Sequence, residues 1–152
     1  MRRWLFPCFV GLALALSGCG KSPPQVTEAE GVVLLNGHPL PNALVTFAPE
    51  LDNFGAEMNS TAVTDEEGRF KLQCAYKGGQ PGAAVGKHRV TVTEAPPSGE
   101  YRGMSERAQT GYAEYLSKQK NRPIPKQYAA LGTTPLEVEV KPGEKIEIKL
   151  SR

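Results

Sequence analysis

The side chains able to make bonds or hold ligands are few and far apart: Cys8, Cys19 and Cys74, His38 and His88, and the acidic run Asp65-Glu66-Glu67-Gly68. A zinc site needs three or four gathered ligands. His38 is followed by Pro-Leu-Pro and His88 by Arg-Val-Thr, so neither begins a ligand pair. His38 falls in a turn, whereas His88 continues the inward face of Val90 and Val92, which predicts a partly buried imidazole with a backbone partner. Cys74 extends the face of Phe70 and Leu72, and no neighbouring base would lower its pKa, so it reads as a small buried hydrophobe. The acidic run has the composition of a calcium loop, yet an EF-hand places Gly sixth and a bidentate Glu twelfth. Here Gly68 is fourth and Tyr76 twelfth, which makes the run a turn. No glycine-rich segment follows a strand and opens a helix, as a phosphate-cradling loop would. The pattern therefore predicts no catalytic residue, no metal and no cofactor.

Cys19 has a different setting. Arg2 and Arg3 provide a positive start, and residues 4–16 are an apolar run too short for the roughly 20 residues of a spanning helix. Such a segment is an export signal removed on maturation. Leu16-Ser17-Gly18-Cys19 closes it and resembles a lipobox, in which small residues before the cysteine admit the peptidase and the thiol receives diacylglycerol. The expected cut lies between Gly18 and Cys19, giving a signal peptide over 1–18 and acylation of Cys19. Each buried methylene contributes about 0.8 kcal/mol, so two or three acyl chains would hold the protein on a membrane essentially permanently.

Removal of the signal leaves sixteen basic against sixteen acidic residues. Phosphate neutralisation needs a basic excess on one face, so nucleic acid is not an expected partner. With Cys8 lost and Cys19 lipidated, only Cys74 remains, and no intramolecular disulfide can form. The 134 mature residues suit one domain. Residues 19–28 are polar and carry Pro23 and Pro24, the composition of a tether, and residues 29–152 make the domain.

Within that domain the apolar residues recur with period two, the signature of strands with one buried face. The alternation predicts strands over 30–35, 43–47, 61–64, 69–74, 89–93, 136–140 and 145–150. Asn36-Gly37 favours a primed turn between the first two, Gly68 sits where a left-handed residue closes the next pair, and Lys141-Pro142-Gly143-Glu144 fits a type II turn closing a final hairpin. Seven short strands with one apolar face each predict an all-β, two-sheet sandwich.

The connection over residues 94–135 is far longer than its neighbours, and loops beyond about 12–15 residues are usually functional, structured or disordered. Residues 105–118 carry partial helical periodicity, with Ala108, Tyr112, Tyr115 and Leu116 on one face, so a short helix is expected before the last hairpin. Four of the five tyrosines, Tyr101, Tyr112, Tyr115 and Tyr128, lie in this connection. A rigid ring with a hydroxyl suits protein interfaces, and these four form the candidate contact surface. The competing reading packs the same rings over an open end of the sandwich.

Residues 31–47, then Thr64-Asp65-Glu66-Glu67-Gly68-Arg69-Phe70, then Gly86-Lys87-His88-Arg89-Val90-Thr91-Val92 resemble the carboxypeptidase regulatory-like, or transthyretin-like, domains. With the tail Ile124-Pro125-Lys126-Gln127-Tyr128 and Thr134-Pro135-Leu136-Glu137-Val138-Glu139-Val140, the chain is most similar to small bacterial lipoproteins carrying one such domain. The resemblance covers residues 30–150 and implies a seven-stranded prealbumin-like, Greek-key sandwich, usually noncatalytic. The fold also includes the hydroxyisourate hydrolases, whose C-terminal Tyr-Arg-Gly-Ser signature is matched at three positions by Tyr101-Arg102-Gly103-Met104, but mid-chain. The chain itself ends Lys149-Leu150-Ser151-Arg152, so the hydrolase expectation fails by position. The expected protein is a noncatalytic lipid-anchored envelope domain contacting another envelope protein or a cell-wall glycan. A carbohydrate module is weakened because the sole tryptophan, Trp4, lies in the signal. Gly20 and Lys21 follow the lipidated cysteine without the aspartate of inner-membrane retention, which favours the outer membrane facing the periplasm.

Overall fold

The computed structural model describes residues 24–52, 54–97 and 105–152. Gly18, Cys19 and the whole 1–18 signal lie outside these residues, as does Tyr101 with its Tyr-Arg-Gly-Met run. Twelve strand segments occur among the described residues: β1 Val26–Thr27, β2 Glu30–Leu35, β3 His38–Pro39, β4 Ala43–Pro49, β5 Ser60–Val63, β6 Arg69–Lys71, β7 Gln73–Cys74, β8 Gln80–Pro81, β9 Ala83–Ala84, β10 Gly86–Glu94, β11 Glu137–Val140 and β12 Ile146–Leu150. One α-helix, α1, spans Glu106–Ser117.

The larger sheet runs β11-β10-β4-β5-β7-β8 and is antiparallel. The second runs β12-β2-β3, with β6 also paired to β2. A short ladder joins β1 to β9. The apolar faces meet in one core: Val45, Phe47, Val90 and Val92 from the larger sheet oppose Val33, Leu35, Phe70, Ile148 and Leu150 from the second. Phe47 is fully buried, with its ring 6.0 Å from that of Phe70. Period-two alternation thus buries one face of each sheet, and joining those faces removes both from water.

Three expected pairings differ. The Lys141–Glu144 turn forms, with Gly143 at φ 78° and Glu144 N–H donating to Lys141 O at 3.3 Å. It closes no hairpin, because β11 pairs antiparallel with β10 whereas β12 pairs parallel with β2. Both strands have an apolar face to bury, and placing them in opposite sheets lets both faces reach the same core. The Asn36-Gly37 turn, at φ 52° and 79°, closes β2 only onto β3. Pro39 and Pro41 offer no N–H to continue the ladder, so the chain crosses to the larger sheet before β4. The single strand expected over 69–74 breaks at Leu72: β6 pairs β2 while β7 pairs β5. Leu72 N–H donates to Ala29 O and Leu72 O accepts from Gly82 N–H, so this residue turns a corner between sheets. Phe70, Leu72 and Cys74 nevertheless stay buried.

β4 and β10 run antiparallel along their lengths, from His88 opposite Pro49 to Glu94 opposite Ala43. At about 3.3 Å per residue the nine residues of β10 set the two ends of the sandwich roughly 25 Å apart. The described chain enters at the Pro49 end, where Val26 pairs Ala84 and Val85 N–H donates to Gln25 O. Helix α1 is fixed at the Ala43 end.

Candidate functional site

Ser105 starts α1 by accepting Ala108 N–H on its hydroxyl at 3.2 Å, which satisfies one of the donors a helix start leaves open. Ala108 is the buried residue of this helix; Tyr112, Tyr115 and Leu116 are half-buried, and the remaining face is exposed. The Tyr112 and Tyr115 rings stack at 6.1 Å with an interplanar angle of 20°. Tyr112 OH donates to Ala95 O, just beyond the end of β10. Burial, aided by the nearby Glu94 carboxylate, pushes the Tyr112 phenol above its ordinary pKa, which keeps it protonated and able to donate.

The chain then returns to the body through two polar residues that the pattern reading did not single out. Asn121, at φ 59°, turns its amide toward Leu35 O and His38 O, both at 3.0 Å, and Pro39 O at 3.3 Å. Arg122 donates from Nε to Glu94 Oε2 at 2.8 Å and from Nη2 to Pro41 O at 2.7 Å and Asn42 O at 3.2 Å. Its side chain is only 9 % exposed. Arg152 adds Nη2 contacts to Asn121 Oδ1 at 3.2 Å and Arg122 O at 3.1 Å. An asparagine tolerant of positive φ is the one local signal that marks this return; the partners lie too far away in sequence to be read locally.

The structure brings Tyr112 and Tyr115 together but moves Tyr128 elsewhere. Tyr128 is 3 % exposed within the main core, and its hydroxyl donates to Ser151 O at 3.1 Å and accepts Ser151 N–H at 3.0 Å. It is a packing residue tying the Lys126–Tyr128 turn to the end of β12, not part of a contact surface. A ring with both an apolar body and a satisfied hydroxyl can be buried without cost to its polar end.

The other candidate side chains are committed to structure. Cys74 is fully buried, its Sγ 3.7 Å from Met58 O. Asp65 Oδ1 accepts the N–H groups of Glu67 and Arg69, and Oδ2 faces Arg69 Nε at 3.0 Å, so the acidic run satisfies itself as a turn. Among the described residues no three His, Cys, Asp or Glu side chains converge to hold a metal. A groove of about 820 Å³ runs along β2, β6 and β12 over Val32, Phe70 and Ile146. Its rim carries Glu30 with Lys71 and Lys145, each 3.7 Å away, and its lining includes no hydroxyl, thiol or imidazole.

His88 is 1 % exposed and stands 5.7 Å from the Phe47 ring. Its Nδ1 lies 3.0 Å from Gly86 O, and because a carbonyl only accepts, the neutral ring places its proton there. Nε2 is buried with no protein partner. A small cleft of about 180 Å³ adjoins it, edged by Glu50, Lys87, Glu137 and Glu139. Burial depresses the His88 pKa below 6.5, opposed by Gly86 O and Glu50. The unfolded chain then takes up a proton before the native one, so stability falls as pH drops through about 6.5 and continues to fall until the native ring charges. His88→Leu should flatten that acid decline between pH 7 and 5 in urea melts; an unchanged slope would assign the decline to other groups.

No family model, no curated protein and no solved structure matches this chain.

Proposed function

We propose that this chain is a noncatalytic, lipid-anchored envelope protein whose prealbumin-like sandwich presents helix α1 to another envelope protein or polymer. The observation carrying this reading is the polarity of the body. The chain enters at the Pro49 end, while α1, with the stacked pair Tyr112 and Tyr115, is held at the Ala43 end by Ala95 O and by Arg122. An anchor at Cys19 then directs the helix away from the lipid. The pair offers large, rigid rings of the kind that dominate binding energy at interfaces. The groups that could serve chemistry support a passive role: Cys74 is enclosed, His88 is walled in beside Phe47, and His38 occupies an exposed turn. The lipobox-like Leu16-Ser17-Gly18-Cys19 supports the anchor, and Gly20-Lys21 supports the outer membrane.

Crosslinking in native membranes tests this reading. The wild-type chain should capture a defined partner, and Tyr112→Ser with Tyr115→Ser should lower its recovery about tenfold or more, since two central aromatic anchors together contribute about 2 kcal/mol or more. Equal recovery with an unchanged melting temperature would remove α1 as the contact.

A further inference from the structure

Besides the main core, a second, smaller cluster lies where the described chain enters the body. Met58, Cys74 and Ala84 are buried there, and Val26, Leu51, Phe54 and Tyr76 pack around them. Those four are half-buried, each keeping part of its apolar surface in water, and they form a rim beside the point where the described chain enters at Val26. Val26 belongs to that rim and is also paired with Ala84 in the β1–β9 ladder. The loop bearing Tyr76 adds Lys77, exposed, with its ammonium 5.3 Å from the Tyr76 ring centroid.

Tether length decides what faces this rim. Cys19 precedes Val26 by seven peptide steps, which reach about 25 Å fully extended and less with ordinary bends. The entry end therefore stays within about 25 Å, one body length at most, of the surface that holds the anchor. Phe and Tyr with a flanking cation is the chemistry of a lipid interface, where rings sit at headgroup depth and lysine reaches the phosphates. Exposed acids Glu50, Asp52 and Glu57 lie on the same loops, so the attraction is apolar and aromatic rather than a net positive field.

We infer that the rim of Val26, Leu51, Phe54 and Tyr76 is a lipid-docking surface that seats the entry end of the sandwich on the membrane holding its anchor. This rests on the lipid-anchored reading. Docking fixes the orientation of the body as well as its distance, and it points α1 outward. Because the rim adds contact to an anchor already in place, even weak insertion suffices: the acyl chains supply affinity and the rim supplies orientation.

The test uses the acylated protein purified from membranes and placed in phosphatidylethanolamine–phosphatidylglycerol vesicles containing brominated acyl chains, which quench nearby tryptophan. The sole tryptophan, Trp4, lies in the signal, so the mature wild-type chain should show no tryptophan emission. Phe54→Trp and Tyr76→Trp are read separately, which guards against one variant misfolding, with Val63→Trp as the remote control. Val63 is 49 % exposed and sits opposite Leu44, near the Ala43 end. Side chains lying about 5–10 Å into the interface should lose about half or more of their emission, and Val63→Trp should lose almost none. Vesicle flotation separates the two ways of failing. Protein that floats but shows equal, weak quenching at all three positions overturns the docking surface alone. Protein that does not float, or a wild type that shows tryptophan emission, overturns the anchor and the docking with it.

Discussion

Gly31→Ala should lose about 3 kcal/mol or more of folding stability, an effect at the upper end of what single substitutions produce. Gly31 stands between Ile146 on one side and Phe70 on the other, in the register that joins β12, β2 and β6. A Cβ built there would lie 2.0 Å from Ile146 O and 2.8 Å from Ile146 C. Both are backbone atoms, so no rotamer change relieves the overlap and β12 itself must move. β12 contributes Ile146, Ile148 and Leu150 to the core, at 7, 2 and 3 % exposure. Full exposure of three such side chains costs about 1.5–3 kcal/mol each, comparable to the whole stability of an ordinary domain at about 5–15 kcal/mol. The chain therefore has two poor choices, a strained ladder or a detached strand, and both lower the melting midpoint. Hydrogen exchange distinguishes them, because detachment would lose protection across Glu147–Lys149 first. Gly132→Ala is the control: nothing lies within 4 Å of its Cβ, and surface changes of that kind stay within about 0.5 kcal/mol. If Gly31→Ala melted with Gly132→Ala, the close approach of β2 to β12 would be wrong.

That ladder also illustrates what alternation can and cannot tell. The run Ile146, Ile148, Leu150 identifies a strand and its buried face, and all three side chains are buried. Period two says nothing about which strand lies alongside, and β12 joins β2 in parallel across the sandwich although a correct turn signal connects it to β11. Turn chemistry fixes the local reversal of four residues; which sheet receives the next strand depends on where the apolar faces can meet. Leu72 shows the same limit, since nothing in an unbroken Phe70, Leu72, Cys74 pattern marks a corner between sheets. Helix α1 was legible over almost its whole length from the Ala108, Tyr112, Tyr115 and Leu116 spacing within 105–118, while the Ser105 cap was not read from the sequence. Composition left Tyr128 open between contact surface and packing, because a tyrosine's type is the same whether its hydroxyl meets water or the end of β12. Cys74 and His88 were both legible as inward-facing, each lying on the apolar side of a strand.

Arg122→Met should cost about 2–4 kcal/mol, and it bears directly on how α1 is presented. Removing one partner of a fully buried ion pair costs about 3–5 kcal/mol because the other charge is left unpaired. Glu94 retains 31 % side-chain exposure against 9 % for Arg122, so water repays part of that loss. Two carbonyls, Pro41 O and Asn42 O, also lose their donor, and Met fills the stem volume without replacing it. The shift corresponds to roughly 10 °C in melting temperature for a domain of this size. Arg122→Lys should fall between, since one ammonium cannot reach a carboxylate and two carbonyls in the fork geometry of a guanidinium. Glu94→Gln alone should cost less, and the Arg122→Met, Glu94→Gln double variant should cost less than the two singles combined, because neither charge remains to be stranded. Additive singles would mean that the pair is not coupled. The clamp ties the tail of the 95–121 connection to β10 and to the crossing before β4, the same end of the sandwich that Tyr112 OH reaches through Ala95 O. Releasing it should raise protease cutting within 105–120 several-fold while the β-sandwich still melts cooperatively. Crosslinked partner recovery should then fall in Arg122→Met as it does in Tyr112→Ser with Tyr115→Ser. A variant that is nicked rapidly yet captures its partner in full would show that recognition needs the tyrosines without the fixed position of the helix.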